Sequence, residues 1–289
     1  MLSSVKRKCI KPAIRLLTLD FLRNPSPKVA VLHLKGVIGS AGRFRSKGLV
    51  IDELRDIIEK AFNIDAKAVA VVINSPGGSP VQSALIHDAV QHLAREKDIP
   101  IFCFAEDVCA SGGYWLACMG EEIYAHRASI VGSIGVVASG FGFTNFIAQH
   151  GIERRIYTQG ENKAMLDPFQ PEKQEDIDRL LSVQHDVHEA FKEHVKLARG
   201  KRLNADSDEL FSGAFWSGKQ AMEMGLVDGL GDVDSVMREK YGDKVKLHYI
   251  KPSKSFIAGL FSSKFTANHI VSDALSTVEE RGIWARFGL

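Results

Sequence analysis

The 289-residue chain has few cysteines, no long apolar run and almost no net charge. Its four cysteines have neither CxxC nor zinc-finger spacing, and three of them lie in or beside apolar stretches (Cys9, Cys103, Cys109, Cys118). This pattern predicts buried thiols in a reducing compartment and no metal site. No uninterrupted apolar run reaches the ~18 residues that a membrane-spanning helix needs. The 37 basic residues are balanced by 35 acidic ones, so the basic excess of nucleic-acid-binding proteins is absent.

The remaining composition is that of an ordinary soluble globular protein. Apolar residues make up 45% of the chain and charged residues 25%, which excludes global disorder, collagen and a coiled coil. The length is ample for a sizeable core in one large domain or two small ones. No internal repeat of 20–50 residues is visible.

The N-terminal residues predict a short basic amphipathic helix. Its longest apolar stretch, AIRLLTLDFL, is interrupted by Arg15 and Asp20, and no A-x-A-like cleavage site follows, so it is not a signal peptide. Four apolar side chains share one helical face (Ile10, Ile14, Leu17, Phe21). Two interpretations stay open for residues 1–27. They form an arm that packs on their own or a neighbouring subunit, or residues 1–23 attach to an anionic membrane surface.

Strand-like and helix-like patterns then alternate along the chain. Short apolar runs predict strands at 29–38, 68–73, 100–105, 122–125 and 244–250. Helical spacing predicts helices at 49–62, 81–97, 110–119 and 171–199. This alternation indicates a mostly parallel sheet with right-handed crossovers, in one domain over residues 28–250. Residues 251–289 lack clear periodicity and are expected to form a C-terminal extension, helical from 269 to 280.

The first candidate for chemistry is Ser111, in the sequence CASGGYWLA between a predicted strand and a predicted helix. Two glycines follow it, and glycine permits both a sharp turn and the close approach of a substrate to the backbone. A serine at a helix N-terminus has its oxygen near the positive end of the dipole, which favours a developing alkoxide. Serine is also a preferred N-cap residue, so this segment alone does not separate a nucleophile from a cap.

The second candidate is the loop INSPGGSP at residues 73–80. It would expose backbone N–H groups at the C-terminal edge of a strand, where ligands bind in open parallel sheets. Such groups can hold an oxyanion or a phosphate. The loop is not a Walker loop, because Gly77 and Gly78 are adjacent and no G-K-[ST] follows. The alternative is an ordinary turn between a strand and a helix.

The third candidate is Lys163, in the sequence GENKAMLDPF. A lysine acts as a general base only in its neutral form, and the ordinary pKa of a lysine is ~10.4. Burial among apolar neighbours such as Met165, Leu166 and Phe169 is the usual means of lowering such a pKa to ~7–8. The alternative is a solvated surface lysine, as most of the 37 basic residues must be.

Taken in order, these motifs carry a family resemblance. NSPGGS, ASGGYWLA, GSIGV and GENKAMLDPF, which together span residues 73–169, resemble the signature series of the signal peptide peptidase A (SppA) family, the S49 serine peptidases. That family resembles the Clp proteolytic subunit and the crotonases in fold. The resemblance therefore implies an α/β fold, a ClpP/crotonase-like superhelix of ββα units with a mostly parallel sheet. The N-terminal helical arm and the C-terminal extension would be additions to it.

The resemblance also implies a role for each residue of the motifs. Ser111 would be the nucleophile and Lys163 the general base, with Ser133 orienting the lysine amine. The backbone N–H groups of Gly78 and Gly112 would form the oxyanion hole. In short single-domain members the serine and the lysine come from neighbouring subunits of a ring. This chain carries one copy of the motif set and so resembles that type.

The activity implied is that of a serine endopeptidase with a Ser–Lys dyad, acting on signal-peptide-like, unfolded or membrane-derived peptides. It needs no cofactor and no metal, and its partners would be peptide substrates and other copies of itself, with no nucleic acid. Family members are usually anchored by an N-terminal transmembrane segment and face outward. This chain departs from that pattern, so we expect a cytoplasmic location, with peripheral contact to the inner membrane as the second interpretation.

Two rival functions use the same fold without proteolysis. One is a ring-forming scaffold at the membrane, which has no need of Ser111, Ser133 and Lys163 together. The other is a crotonase-type acyl-CoA enzyme that uses the glycine pair as an oxyanion hole. That enzyme leaves the combination of Ser111 and Lys163 unexplained.

The histidines are expected to be structural or solvated. A Clp-type triad needs a histidine beyond the serine, and the expected stretch, SIVGSIGVV, contains none. His126 lies at the end of a predicted strand and is interpreted as structural. His185 and His188 share a helical face at a spacing that could hold a metal. The charged residues around them favour a solvated face instead.

Overall fold

The computed structural model describes residues 26–39, 48–204, 207–251 and 281–289. Nearly all of the predicted N-terminal arm and the whole of the predicted helix 269–280 lie outside these residues. Of the four cysteines, Cys9 lies outside them, and Cys103, Cys109 and Cys118 are buried free thiols, as predicted. Burial raises the pKa of the Cys118 thiol to about 12.

In the described part of the chain, one sheet of eight strands forms the centre of the fold. The strands are β1 Lys28–Lys35, β2 Ala68–Ser75, β3 Ile101–Ala110, β4 Glu122–Ala125, β5 Ile130–Gly132, β6 Phe215–Ser217, β7 Gly229–Leu230 and β8 Lys246–Tyr249. Their order is β6-β5-β3-β2-β1-β8, with β4 paired to both β3 and β7. Every pair is parallel except β5 with β6. The prediction of a mostly parallel α/β sheet is confirmed.

Strand β2, at the centre of the sheet, is buried along its whole length because both faces of the sheet are covered. All eight residues of β2 are buried. Val69, Val71 and Ile73 pack into the larger core cluster on one face, and the alternate residues of β2 pack into a smaller cluster on the other. This is the burial expected of parallel strands that read as continuous apolar runs.

Eight α-helices occur among the described elements. They are α1 Ile51–Asn63, α2 Pro80–Lys97, α3 Gly112–Ala117, α4 Thr144–Gln149, α5 Gln174–Arg199, α6 Ser207–Leu210, α7 Gly218–Glu223 and α8 Val233–Tyr241. The start of α2 is set locally, because the Ser79 side chain accepts a hydrogen bond from the Gln82 amide and Pro80 occupies the first turn. The predicted helices at 49–62, 81–97 and 171–199 are confirmed to within three residues.

The structure corrects the predicted boundary around the serine. β3 continues to Ala110, five residues beyond its predicted end, and the helix begins at Gly112. The first half of β3 pairs with β4 and the second half with β5, so the strand is stabilised over a length that its apolar run does not reveal. An irregularity opposite Ile73 and Ser75 in β2 separates the two halves. Ser111 therefore stands alone between strand and helix.

A long part of the chain lies outside the core. From Gly135 to Ala190 no residue belongs to the buried core, although this stretch includes α4 and more than half of α5. We call residues 135–190 the uncovered segment. It exposes several large apolar side chains (Val137, Phe141, Phe146, Ile152, Tyr157), of which Tyr157 is 91% exposed.

Candidate active site

Ser111 occupies a turn that serine rarely adopts. Its backbone angles are φ 51° and ψ −123°, a positive φ that costs a non-glycine residue about 1–3 kcal/mol. The turn is held by its own amide, which donates to the Gly132 carbonyl at 2.8 Å, and by its carbonyl, which accepts from the Tyr114 and Trp115 amides. The Ser111 hydroxyl does not cap the helix that follows. The helix-cap alternative therefore does not account for this serine.

The glycine loop packs directly against this turn. A Cβ on Gly77 would lie 2.6 Å from the Ser111 Cβ and 2.8 Å from the Gly112 nitrogen, so no side chain fits there. A Cβ on Gly78 would overlap the Ile38 carbonyl oxygen. Gly77 and Gly78 both have positive φ, at 103° and 144°. The adjacent glycines are thus required by the close contact between two loops as well as by the turn.

The amides of Gly78 and Gly112 are free to bind a ligand. Within the described chain, neither donates a hydrogen bond to another residue. Both glycines line a cavity of about 510 Å³, and Ser111 lines the same cavity. A hydroxyl and two unused amide hydrogens at one cavity form an arrangement that can stabilise a tetrahedral oxyanion.

Ser133 lies at the same cavity, just after β5. It also has a positive φ, 52°, and is 7% exposed. Its amide donates to the Ala214 carbonyl at 2.6 Å, which fixes it beside β6. Because the neighbouring Gly132 carbonyl accepts from Ser111, the two serines are connected through one short stretch of backbone.

The cavity has walls that the motifs did not predict. Trp115 follows the turn at Ser111, and Val187, His188 and Phe191 come from α5. The ring centroids of Trp115 and Phe191 are 5.1 Å apart. The prediction of a solvated face is therefore wrong for His188, whose Nε2 is buried and has no hydrogen-bond partner in the described chain. The alternation of apolar residues along α5 was the available signal, since residues 187 and 191 are one turn apart.

Trp115 is supported from behind by His194. The two rings stack with centroids 4.4 Å apart and 13° between their planes, and His194 Nε2 donates to the Trp115 carbonyl at 3.1 Å. His87 of α2 meets His194 edge-on at 4.6 Å. Burial, together with the charge of His87, lowers the pKa of His194 to about 4. Burial also lowers the pKa of His87. Both rings are neutral at physiological pH.

The C-terminal segment, residues 281–289, closes one side of the cavity. Phe287 is 8% exposed and packs on Val108 and on Ala110, which directly precedes Ser111. Its ring meets that of Phe215 at 5.2 Å. Ile283 and Arg286 of the same segment line the cavity. No sequence motif pointed to these residues.

Lys163 does not join the other predicted residues within one chain. It is exposed, and it is not among the residues that line the cavity. Its amide donates to the Gly160 carbonyl at 3.2 Å, in a turn of the uncovered segment. The apolar neighbours expected to desolvate it do not enclose it in the single chain, where Met165 and Leu166 are half-buried. Ser111, Ser133, Gly78 and Gly112 are brought together, and Lys163 is not.

Two further features of the described residues bear on the site. They contain no group of three or more histidine, cysteine or acidic side chains placed to hold a metal ion. None of their helices combines the length and the apolar character needed to cross a membrane.

Comparison with known proteins identifies relatives over most of the chain. A family model described as peptidase family S49 matches residues 93–246. A protein named Na(+)/H(+) antiporter NhaA, from Brucella abortus, is 46% identical over an alignment of 273 residues, and the match covers 91% of this chain and 37% of that protein. A protein named as a signal peptide peptidase of the SppA type, from Enterococcus faecium, is 30% identical over 251 residues. The match covers 82% of this chain and 71% of that protein.

The chain spans little more than a third of the first of these relatives, so the antiporter name is not carried over to it. A solved structure of the 1510-N membrane-bound stomatin-specific protease, bound to a substrate peptide, is similar with a TM-score of 0.51. The match covers 82% of this chain and 98% of that one at 16% sequence identity, which establishes likeness of fold. The predicted ClpP-like fold class is confirmed.

Proposed function

Because this chain belongs to peptidase family S49, we propose that it is a serine endopeptidase in which Ser111 is the nucleophile and Lys163 of a neighbouring copy is the general base. The observation that carries the proposal is the Ser111 turn. It holds a hydroxyl that caps nothing at a cavity where the amides of Gly78 and Gly112 are unused. A strained turn beside free amide donors suits acyl transfer and has no evident structural purpose.

The proposed reaction begins when neutral Lys163 Nζ takes the proton of the Ser111 hydroxyl. Ser111 Oγ then attacks the peptide carbonyl carbon, and the carbonyl π electrons move to oxygen, which the Gly78 and Gly112 amides stabilise. Protonated Lys163 gives its proton to the leaving amine as the C–N bond breaks. Water, deprotonated by Lys163, hydrolyses the acyl-enzyme and regenerates the Ser111 hydroxyl. Loss of one oxyanion donor typically costs ~10²–10³ in rate.

The proposal assigns the lysine to a second copy because one chain leaves the site incomplete. Lys163 is exposed and away from the cavity, in a segment of 56 residues of which none belongs to the buried core. Exposed apolar surface of this extent is typical of an interaction site. A second copy packed on the uncovered segment would bury those apolar side chains, and the same burial would favour the neutral form of Lys163.

The cavity walls favour peptides with apolar side chains. Trp115, Phe191, Val136, Val137 and Ile283 present aromatic and aliphatic surface near Ser111. Apolar walls with a few polar groups are typical of sites that bind by side-chain burial. This supports the proposed substrate class of signal-peptide-like, unfolded or membrane-derived peptides. A cytoplasmic location, and membrane contact through residues 1–23, belong to the proposal on the basis of the sequence.

The test combines labelling with complementation between two inactive variants. We expect a fluorophosphonate probe to label the wild type and to leave Ser111→Ala unlabelled. Ser111→Ala and Lys163→Ala should each lose peptidase activity while their thermal melts stay like that of the wild type. When the two are unfolded, mixed and refolded together, random assembly in a ring restores activity at about a quarter of the sites.

Each outcome decides a separate part of the proposal. Full activity of Lys163→Ala would contradict its role as base. Mixed oligomers that stay inactive would contradict a shared dyad and put both residues in one chain. An assembled wild type that neither reacts with the probe nor cleaves peptides would be better described as a scaffold.

A further inference from the structure

We propose that Arg286 forms a carboxylate-binding subsite of the cavity, so that the enzyme prefers peptides carrying a carboxylate near the cleaved bond. The inference rests on the proposed peptidase function and adds a determinant of substrate choice to it. Arg286 belongs to the C-terminal segment, 175 positions after the nucleophile in the sequence, and lines the same cavity as Ser111.

The position of Arg286 is fixed by the residue beside it. Phe287 is buried against Val108 and Ala110 of β3, the strand that ends at the nucleophile. Trp284 packs on the same cluster, and the Phe287 amide donates to its carbonyl at 2.9 Å. The Arg286 guanidinium lies over the Phe287 ring, 6.0 Å from its centroid. An arginine anchored in this way loses less side-chain entropy on binding than one on a free tail.

The charge of Arg286 is not used elsewhere in the described chain. It forms no ion pair there, and it is the one Lys, Arg, Asp or Glu among the described residues that line the cavity. The surrounding walls are apolar or carry small hydroxyl groups. Arg286 is itself exposed, so an anion can reach it from solvent, and added salt is expected to screen the attraction.

The chemistry of guanidinium selects the kind of anion. Its planar fork matches a carboxylate with two parallel hydrogen bonds. A peptide offers a carboxylate in two ways, as an Asp or Glu side chain or as its free C-terminus. Both would place the negative group at Arg286 while Ser111 faces a peptide bond.

The first experiment measures binding without hydrolysis, using the full chain with Ser111→Ala. The probes are four fluorescein-labelled decapeptides of leucine, alanine and serine. In the first pair both peptides are amidated at the C-terminus, and one carries a central Glu where the other carries Gln. In the second pair neither peptide contains Glu, and one ends in a free carboxylate where the other ends in an amide. Fluorescence anisotropy should show on the order of tenfold tighter binding of one or both carboxylate peptides over their neutral partners. Added salt should shrink the difference.

The second experiment reverses the charge at Arg286. Arg286→Glu, in the Ser111→Ala background, should abolish or invert the preference, and Arg286→Lys should keep part of it. Arg281→Glu is the matched control, because Arg281 is exposed on the same segment and does not line the cavity. The same variants with Ser111 intact should show the change in kcat/KM for the Glu and Gln peptides.

The outcomes separate this inference from the proposed function. Equal binding of acidic and neutral peptides, or equal effects of Arg286→Glu and Arg281→Glu, would overturn the subsite. Peptidase activity that depends on Ser111 would persist in either case. Selective binding by the Ser111→Ala protein, together with a wild type that cleaves nothing, would instead keep the subsite and overturn the peptidase.

Discussion

Ser111 keeps its unfavourable backbone angles because its neighbours leave no alternative. Its amide is bonded to Gly132, its carbonyl to the first turn of α3, and its Cβ faces the bare backbone of Gly77. Strain of this kind persists only where surrounding contacts fix it. The position of the hydroxyl therefore depends on a residue in a different loop.

This dependence gives a prediction for Gly77→Ala. The added methyl group would overlap the Ser111 Cβ, and Gly77 has a φ of 103° that alanine disfavours. We expect the variant to fold but to displace the nucleophile, lowering the rate of fluorophosphonate labelling by roughly 10²-fold, as misplacement of a reacting group by ~1 Å does. Gly140→Ala is the control, because a Cβ there meets nothing within 4 Å. Labelling of Gly77→Ala at the control rate would contradict this account.

Much of the site could be predicted from the sequence, and its limits have a physical cause. The motifs identified Ser111, Ser133, Gly78 and Gly112, because short loops that touch backbone to backbone restrict which residues can occupy them. Arg286 and His188 could not be found in this way. Their positions depend on how α5 and the C-terminal segment pack on the sheet, and this packing cannot be predicted from the local sequence.

At the scale of elements, β3 shows why boundaries are hard to predict. Its apolar run stops at Ala105, yet the strand continues through Glu106 and Asp107, which are exposed. The continuation is stabilised by long-range contacts. Asn74 donates to the Asp107 carboxylate at 2.7 Å and accepts from the Val108 amide at 3.3 Å. Such contacts between strands outweigh local propensity.

Helices α2, α3 and α5 meet at the stack of His87, His194 and Trp115, which predicts a pH effect on stability. The pKa of His194, about 4, lies below the ~6.5 of an unfolded histidine. As the pH falls, the unfolded state binds the proton first. The contribution of His194 to the free energy of unfolding is therefore greatest above pH ~6.5 and declines toward pH ~4. After allowance for partial exposure, we expect a loss of about 1 kcal/mol between pH 7 and pH 5.

The measurement is urea unfolding at both pH values. His194→Phe keeps an aromatic ring against Trp115 but cannot take up a proton, so it should lose less stability than the wild type on acidification. His92→Phe alters an exposed histidine of α2 and should behave like the wild type. If His194→Phe and the wild type lost equal stability, burial of His194 would not be the source of the effect.

At the scale of the whole molecule, one buried ion pair ties the end of α5 to the sheet. Arg199 is 2% exposed and makes two hydrogen bonds to the Asp228 carboxylate, at 2.7 and 3.0 Å. Asp228 also accepts from the Ile123 amide of β4 at 2.7 Å. Burial opposes the charged form of Arg199, but the bonds to Asp228 outweigh it and raise its pKa. The pair therefore connects α5, the helix that lines the cavity, with strand β4 of the sheet.

Breaking this pair should destabilise the fold strongly. Arg199→Ala leaves the Asp228 carboxylate without its main partner, and we expect a loss of about 3 kcal/mol, the lower end for buried pairs because Arg202 lies 3.5 Å away. Arg238→Ala removes an exposed pair with Asp234 and should leave the urea midpoint unchanged. Similar urea midpoints for Arg199→Ala and Arg238→Ala would mean that Arg199 does not stabilise the packing of α5 on the sheet.

The mostly parallel sheet and the helices α1, α2 and α5 follow from the alternating pattern of the sequence, but the order of the strands was not predicted from it. The uncovered segment was not predictable, because its apolar residues resemble those of a core. Phe141 and Phe146 stay exposed because none of the other elements in the described part of the chain covers them. An apolar sequence pattern indicates that a side chain is favoured in a buried position, but it does not indicate whether the same chain or another one buries it.

The buried position of Phe287 also affects how the protein should be prepared for experiments. Leu289 lies two positions after Phe287. A polypeptide fused there, whether a purification handle or a reporter, would therefore begin directly after the segment whose Ile283 and Arg286 line the cavity. Releasing such additions with an external protease before kinetics would remove any obstruction of that side of the cavity.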